Sequence, residues 1–210
     1  MTLPAGLVRL GAPLPAQVHA EGRLLGRCAR SRVRLPSGAV LLGGHEDLGP
    51  VAPGEHVVLR VLGTHPAVRV PTDRAGALAA GVRTVRLAAP TGARQDVLVL
   101  RSVRSVHAGR AATGGRHDSI RAVEGEAHEL EATGEVRVLE APRLERPWHR
   151  AHRGADAWRT PLPPWAMRVS RLLREIRQVL GQDALEITWA DDGRVCRLLG
   201  VVPQAGQERS

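Results

Sequence analysis

The chain contains no lysine, phenylalanine, tyrosine or asparagine, and isoleucine occurs only at 120, 176 and 187. These are residues with A/T-rich codons, so a GC-rich coding sequence is the simplest explanation of the gap. Every basic residue behind the net charge of +9 is therefore arginine, and much of it stands in for lysine. Arginine is also spread through every segment without one dense run, which weakens the usual step from a basic balance to a nucleic-acid partner. The only cysteines, Cys28 and Cys196, lie far apart without CxxC or Cys/His spacing. That argues against a disulfide framework and predicts a buried free thiol for each. No apolar run reaches the roughly 18 residues of a membrane span. The opening MTLPAGLVRLGAPLPA lacks the basic-then-apolar layout of a signal peptide, which predicts a cytoplasmic protein.

At 210 residues and 43% hydrophobic content, the chain can bury a real core, as one domain or one and a half. Its best-organised stretch is Pro163–Pro203. Trp165, Val169, Leu172, Leu173, Ile176, Val179 and Leu180 recur with helical spacing. Pro163 and Pro164 suit a first turn, where a missing N–H costs nothing, and Gly181 suits the exit. LEITWA and RVCRLL then flank Asp191-Asp192-Gly193, a strong hairpin signal.

Upstream, the first fifty residues carry short apolar groups split by Pro and Gly, with a turn at Pro36-Ser37-Gly38 leading into a strand. A further turn is expected at Pro53-Gly54. HVVLRVLG reads as a buried strand around Arg60, which needs a partner if buried and sits in solvent if the strand is an edge. DRAGALAAG is a short helix closed by Gly81, and RTVRLAA alternates as a half-exposed strand. DVLVLRSVRSV is a strand passing from core to rim. HAGRAATGG allows either close backbone approach to a ligand or a tight loop. VEGEAHELEATG is an acidic turn and helix, followed by a strand in GEVRVLEA. Residues 143–164, rich in Pro, Arg and His, form a long surface connection. Trp148, Trp158 and Trp165 either pin it to the body or, beside arginine, stack on bases.

Chemistry-bearing patterns are sparse. There is no Walker-type loop and no G-x-S-x-G elbow. His149 and His152 lie at i and i+3, but no carboxylate or cysteine completes a metal site. Ser102, Ser105 and His107 follow one another along a strand, and closeness in sequence does not build a triad. Asp191 and Asp192 suit either a cation or the turn itself. Glu124, Glu126, Glu129 and Glu131 read as a solvated face.

LLREIRQVLGQDALEITWADDGRVCRLLGVVP resembles the end of the nucleotide-binding (PEP/pyruvate-binding) domain of phosphoenolpyruvate synthase and pyruvate phosphate dikinase, a helix, a "DIEW" strand, a turn and an "LQaRP" strand. Earlier segments are similar in the same order. DVLVLRSVRSVHAGRAATGG matches "vlVQ.mv....sGVafT", and VEGEAHELEATGEV matches "GLGE.lvsG.v". HVVLRVLG stands at "vaVRSSa", DRAGALAAGV at "FAGq..T", and LLGRCARSRVRLPSGAVL at "GGKa..La.....vP.Gfvl". The resemblance implies an α/β (α+β), ATP-grasp-like two-lobe domain with a mixed sheet, binding ATP and Mg²⁺ and phosphorylating a histidine on a separate swivelling domain. Residues 1–142 would be its body, 143–164 a connection, 165–203 the helix–hairpin unit of the same domain, and 204–210 a tail.

Carried over position by position, Arg60 is the arginine of "VRSS" and would touch phosphate. Arg27 falls where the family has lysine, and Glu186 matches the Asp of "DIEW". These three form the implied cofactor-binding set. The family's metal-ligand Glu is Thr188 here, the Gln and Arg of "LQaRP" are Gly200 and Val202, the Gln of "VQ" is Leu100, and "SS" is Val61-Leu62. No Gly-Gly-x-x-Ser-His acceptor motif is present. The expectation is therefore a divergent, catalytically degenerate kinase-like transferase domain without a catalytic or metal residue. It would bind nucleotide or phosphate weakly, or serve a protein partner that carries the missing domains. The alternative is an Arg-rich module for nucleic acid or another polyanion.

Overall fold

The computed structural model describes residues 6–46, 48, 56–64, 67–72, 76–90, 95–114, 117–124, 137–142 and 162–204. Outside the described residues lie the Pro53-Gly54 turn, the acidic segment after Glu124, most of the 143–164 connection with Trp148, His149, His152 and Trp158, and nearly all of the tail. The chain divides into two compact units, Met1–Arg104 and Ser105–Ser210. No helix among the described residues is long and apolar enough to cross a membrane.

In the N-terminal unit the order is β1 (Leu7–Arg9), α1 (Ala20–Arg30), β2 (Gly38–Leu41), β3 (His56–Val61), β4 (Ala67–Pro71), α2 (Ala77–Ala88) and β5 (Val97–Arg101). The five strands form one sheet in the order β1-β2-β5-β3-β4, each pairing antiparallel. β5 lies in the middle and is covered on both faces, which is why Val97–Leu100 is apolar without alternation. On one face Val82 and Val85 of α2 pack with Leu41, Leu59, Val61, Val70 and Val99. On the other, Gly22 of α1 abuts Val40 and Leu62.

Two expectations are corrected here. RTVRLAA is not a strand but the continuation of α2, because Val82 and Val85 lie three apart on the face that meets the sheet. Gly81 does not stop that helix. A Cβ there would come within 2.6 Å of Val70 and 2.9 Å of Leu59, so glycine sets the packing distance. The same reason hides α1 in the sequence. Gly22 and Gly26 read as breaks, yet each lets the helix sit down on its neighbours, with the backbone oxygen of Leu10 only 3.3 Å from a Cβ at 26.

The C-terminal unit contains β6 (His107–Ala112), β7 (His117–Glu124), β8 (Arg137–Pro142), α3 (Pro164–Leu180), β9 (Leu185–Asp191) and β10 (Cys196–Pro203). Its sheet order is β10-β9-β6-β7-β8, again antiparallel at every pairing. In place of one mixed sheet there are thus two antiparallel ones, because hairpins such as β3–β4, β6–β7 and β9–β10 reverse the chain between neighbours. The helix and hairpin at 163–203 form as the sequence predicts, with Pro163 at the N-cap and Gly181 left-handed at φ 64°. Trp165 stacks on Trp189 of β9 at 5.7 Å between ring centroids. A buried ion pair, Arg177 Nη1 to both oxygens of Asp118 at 2.8 and 3.0 Å, ties α3 to β7.

HAGRAA proves to be the central strand of this sheet and not a loop. Its glycine answers a close approach of backbone rather than of ligand, since a Cβ on Gly109 would lie 1.8 Å from the Arg121 carbonyl oxygen. Replacing Gly109→Ala must therefore push β6 from β7. Urea unfolding is expected to show a loss of about 1–3 kcal/mol or more, whereas Ala112→Gly, on the same strand, costs about 0.5–1 kcal/mol.

Candidate functional site

β3 is flanked by β4 and β5, so Arg60 is on an interior strand and the edge reading is set aside. Its side chain lies on the α1 face, opposite the α2 core, and meets Glu21 in the first turn of α1. Nη1 donates to Glu21 Oε2 at 2.8 Å and to the Thr64 carbonyl at 3.2 Å, and Nη2 donates to Glu21 Oε1. The Gly63 N–H donates to the same carboxylate at 2.9 Å. Burial alone would raise the Glu21 carboxyl. The charge and hydrogen bonds of Arg60, with the Gly63 amide, outweigh it and hold Glu21 below its ordinary value. A carboxylate in a helix's first turn also faces the positive end of the dipole.

The knot extends one step further. His19 caps α1, its Nδ1 accepting from the Glu21 N–H at 3.3 Å. The His19 N–H in turn donates to buried Asp96, which also accepts from Gly43 at 2.9 Å. Glu21, His19 and Asp96 thus bind α1 to the ends of β2, β3 and β5. Arg27 lies about 9 Å further along the helix axis than Glu21. It is exposed, whereas Arg60 is held against the sheet.

Glu186 belongs to the second unit. Trp189 faces α3, so by alternation Thr188 and Glu186 point to the opposite face of the sheet. Register sets Arg121 of β7 opposite Arg110 of β6, Arg110 opposite Thr188 of β9, and Thr188 opposite Gly200 of β10. In the next row on the same face, Glu186 is opposite Ala112 and Val202. Arg110 Nη1 lies 3.9 Å from Glu186 Oε1, both side chains more than a third exposed, a loose pair of small energetic worth. Sequence reading missed Arg110 and Arg121. Their alternation with Ala111, Ile120 and Ala122 was the available signal, obscured by the glycines around β6.

The hairpin carboxylates, Asp191 at the end of β9 and Asp192 in the turn, are both engaged within the fold. Both oxygens of buried Asp191 accept from Arg168, at 2.6 and 2.7 Å, and one also accepts from the Gly193 N–H. Asp192 accepts from Arg194 and Val195 amides and pairs with Arg197 at 2.6 Å, and its carboxyl falls to about 2, chiefly through the Arg197 hydrogen bond. Burial pushes the Cys28 thiol up to about 11 and moves Cys196 upward as well, so both are poor nucleophiles. Among the described residues no three His, Cys, Asp or Glu side chains gather as a metal cluster.

No protein-family model and no curated protein sequence matches the chain. Solved structures do. A D-alanine–D-alanine ligase from Bacillus anthracis superposes with a TM-score of 0.53 at 10% identity, over 87% of this chain and 55% of that one. A RimK domain protein ATP-grasp from Sphaerobacter thermophilus gives a TM-score of 0.48 at 17% identity, over 89% of this chain and 59% of that one. The chain therefore spans little more than half the length of either. The fold is α+β and ATP-grasp-like.

Because Glu21 has a depressed folded pKa, its pairing stabilises the protein above the ordinary carboxylate range, and that contribution is lost as pH falls through the folded value. Urea midpoints measured against pH are expected to drop more steeply on acidification in the native chain than in Glu21→Gln. Arg60→Ala, which strands a buried carboxylate, is expected to cost about 3–5 kcal/mol, and the double replacement Glu21→Leu/Arg60→Leu to recover most of it.

Proposed function

We propose that the chain is a divergent ATP-grasp-like domain that binds the phosphates of a nucleotide without performing metal-assisted phosphoryl transfer. The observation that carries this is Arg110 directly opposite Arg121, beside Thr188, on a sheet face away from α3. Like charges directly opposite across a strand pair are destabilising, and an anion between them reverses the sign. Two guanidinium groups offer paired donors to phosphate oxygens. Thr188 adds a hydroxyl that is both donor and acceptor.

Mg²⁺ does not fit this face. A hard divalent cation takes several oxygens, usually with one or two carboxylates. The rows around Thr188 carry one carboxylate, Glu186, and its near neighbour is the Arg110 guanidinium. Gly200 and Val202, the positions where the phosphoenolpyruvate synthase and pyruvate phosphate dikinase resemblance has Gln and Arg, offer no side-chain donor. Arg60 is committed to Glu21. The reading is thus a pseudoenzyme of that lineage, serving as a nucleotide-responsive part of a larger assembly or beside a partner that carries the catalytic groups.

Thermal unfolding with ATP in the presence of EDTA, and again with Mg²⁺, tests this. Stabilisation follows the ratio of free ligand to Kd. The expected result is a melting shift at millimolar ATP that survives EDTA and shrinks at least tenfold in apparent affinity in Arg110→Gln/Arg121→Gln. Absence of any shift removes nucleotide from the account. A shift that requires Mg²⁺, with ATP turnover, removes the degeneracy.

A further inference from the structure

The unit boundary uncovers a charge partition that a linear scan misses. Residues 1–104 hold fourteen arginines against six acidic residues, a net +8, while residues 105–210 hold sixteen against fifteen, a net +1. Coding bias exchanges lysine for arginine but does not remove acids from one half of a chain, and both halves share that bias. The excess is also placed. Arg23, Arg27 and Arg30 lie at i, i+4 and i+7 on α1, and Arg32 and Arg34 follow in the next turn and loop. All five are exposed. The one acid of α1, Glu21, is 2% exposed and neutralised by Arg60, so it does not offset them. Part of the row is pre-ordered. Arg23 Nη1 donates to the Ala16 and Val18 carbonyls at 2.7 and 2.6 Å, and Arg30 Nη1 to the Ala12 carbonyl at 3.1 Å. Each contact engages one of the three guanidinium nitrogens, and a fork of five donors has capacity beyond it.

From this we infer that the α1 face of the N-terminal unit is a docking surface for the phosphate backbone of duplex nucleic acid, read without sequence preference. A row of arginines suits a polyanion that carries about one charge per 1.7 Å of axis. A single-stranded partner would be gripped by aromatic stacking, and residues 1–104 contain no Trp, Tyr or Phe. A membrane surface would need an apolar helix face turned outward, whereas Leu24, Leu25 and Cys28 of α1 are buried in the unit. The inference is independent of the nucleotide reading, which rests on Arg110 and Arg121.

Fluorescence anisotropy of the full chain with a labelled mixed-sequence duplex DNA, titrated across salt concentrations, tests it. The expected result is binding that weakens steeply with salt and does not change when the sequence is scrambled. Arg27→Gln/Arg34→Gln should reduce the slope of log K against log salt by about 2, one per lost phosphate contact. Arg171→Gln/Arg194→Gln, exposed positions of the other unit with the same charge change, should leave affinity within about twofold, against the roughly tenfold or greater loss expected at α1. Arg34→Glu, in the loop beyond the helix, gives a second reading with the helix intact. Absent or salt-insensitive duplex binding, equal losses in the two double variants, preference for single strands, or binding to anionic phosphatidylserine vesicles in place of DNA would each overturn the proposal.

Discussion

The Glu21–Arg60 pair is the contact on which the N-terminal unit is arranged. A charged side chain on an interior strand is tolerated only with a partner, and here the partner comes from the first turn of a helix packed on that face. The pair fixes where α1 begins. His19 must then cap the helix, and its own N–H must find Asp96. Gly63, left-handed at φ 80°, turns its amide into the same carboxylate, with the His19 ring filling the place a side chain would need. With its first turn anchored and its apolar side buried, α1 has one face left for solvent, and that face is arginine. Arg60, which the sequence resemblance sets at phosphate, is in this structure the clamp on the first turn of α1.

The C-terminal unit solves its own problem by the same means. Two buried aspartates, Asp118 and Asp191, receive arginines from α3, Arg177 and Arg168. One sits toward each end of the helix, so the Trp165–Trp189 stack between the layers cannot slide. Hydrophobic contact is non-directional. A guanidinium–carboxylate hydrogen bond is directional, and Arg168 meets Asp191 as a fork, Nε on one oxygen and Nη2 on the other.

Legibility followed the range of the interaction that decides each element. The α3 stripe, the Gly181 exit and the Asp191-Asp192-Gly193 turn are local, and the sequence displays them in full. β3 and β5 announce themselves as apolar runs because both faces of their sheet are covered. Where a glycine serves a distant neighbour, the reading failed. Gly22, Gly26, Gly81 and Gly109 all read as punctuation, and all four sit inside regular elements where another segment comes close. The fate of Arg60 was equally out of reach, since Glu21 is 39 residues away. Arg110 and Arg121 become a pair only through a register that no single segment contains.

The β9–β10 hairpin keeps the demands of folding on one of its two faces. Side chains alternate along a strand, so the two faces answer to separate demands. Leu185, Ile187 and Trp189 face α3 and are buried, and any polar change there would cost the packing that holds the unit together. Glu186 and Thr188 point the other way, opposite Val202 and Gly200, where substitution leaves the core intact. Asp191, at the end of β9, meets Arg168 on the α3 face, and Asp192 lies in the turn, so the oxygens of both satisfy amides and arginines of the fold. A hairpin built this way can change the side chains of one face while keeping each group that makes it a hairpin. Resemblance in its apolar and turn positions therefore speaks to the fold, and only the face away from α3 can speak to activity.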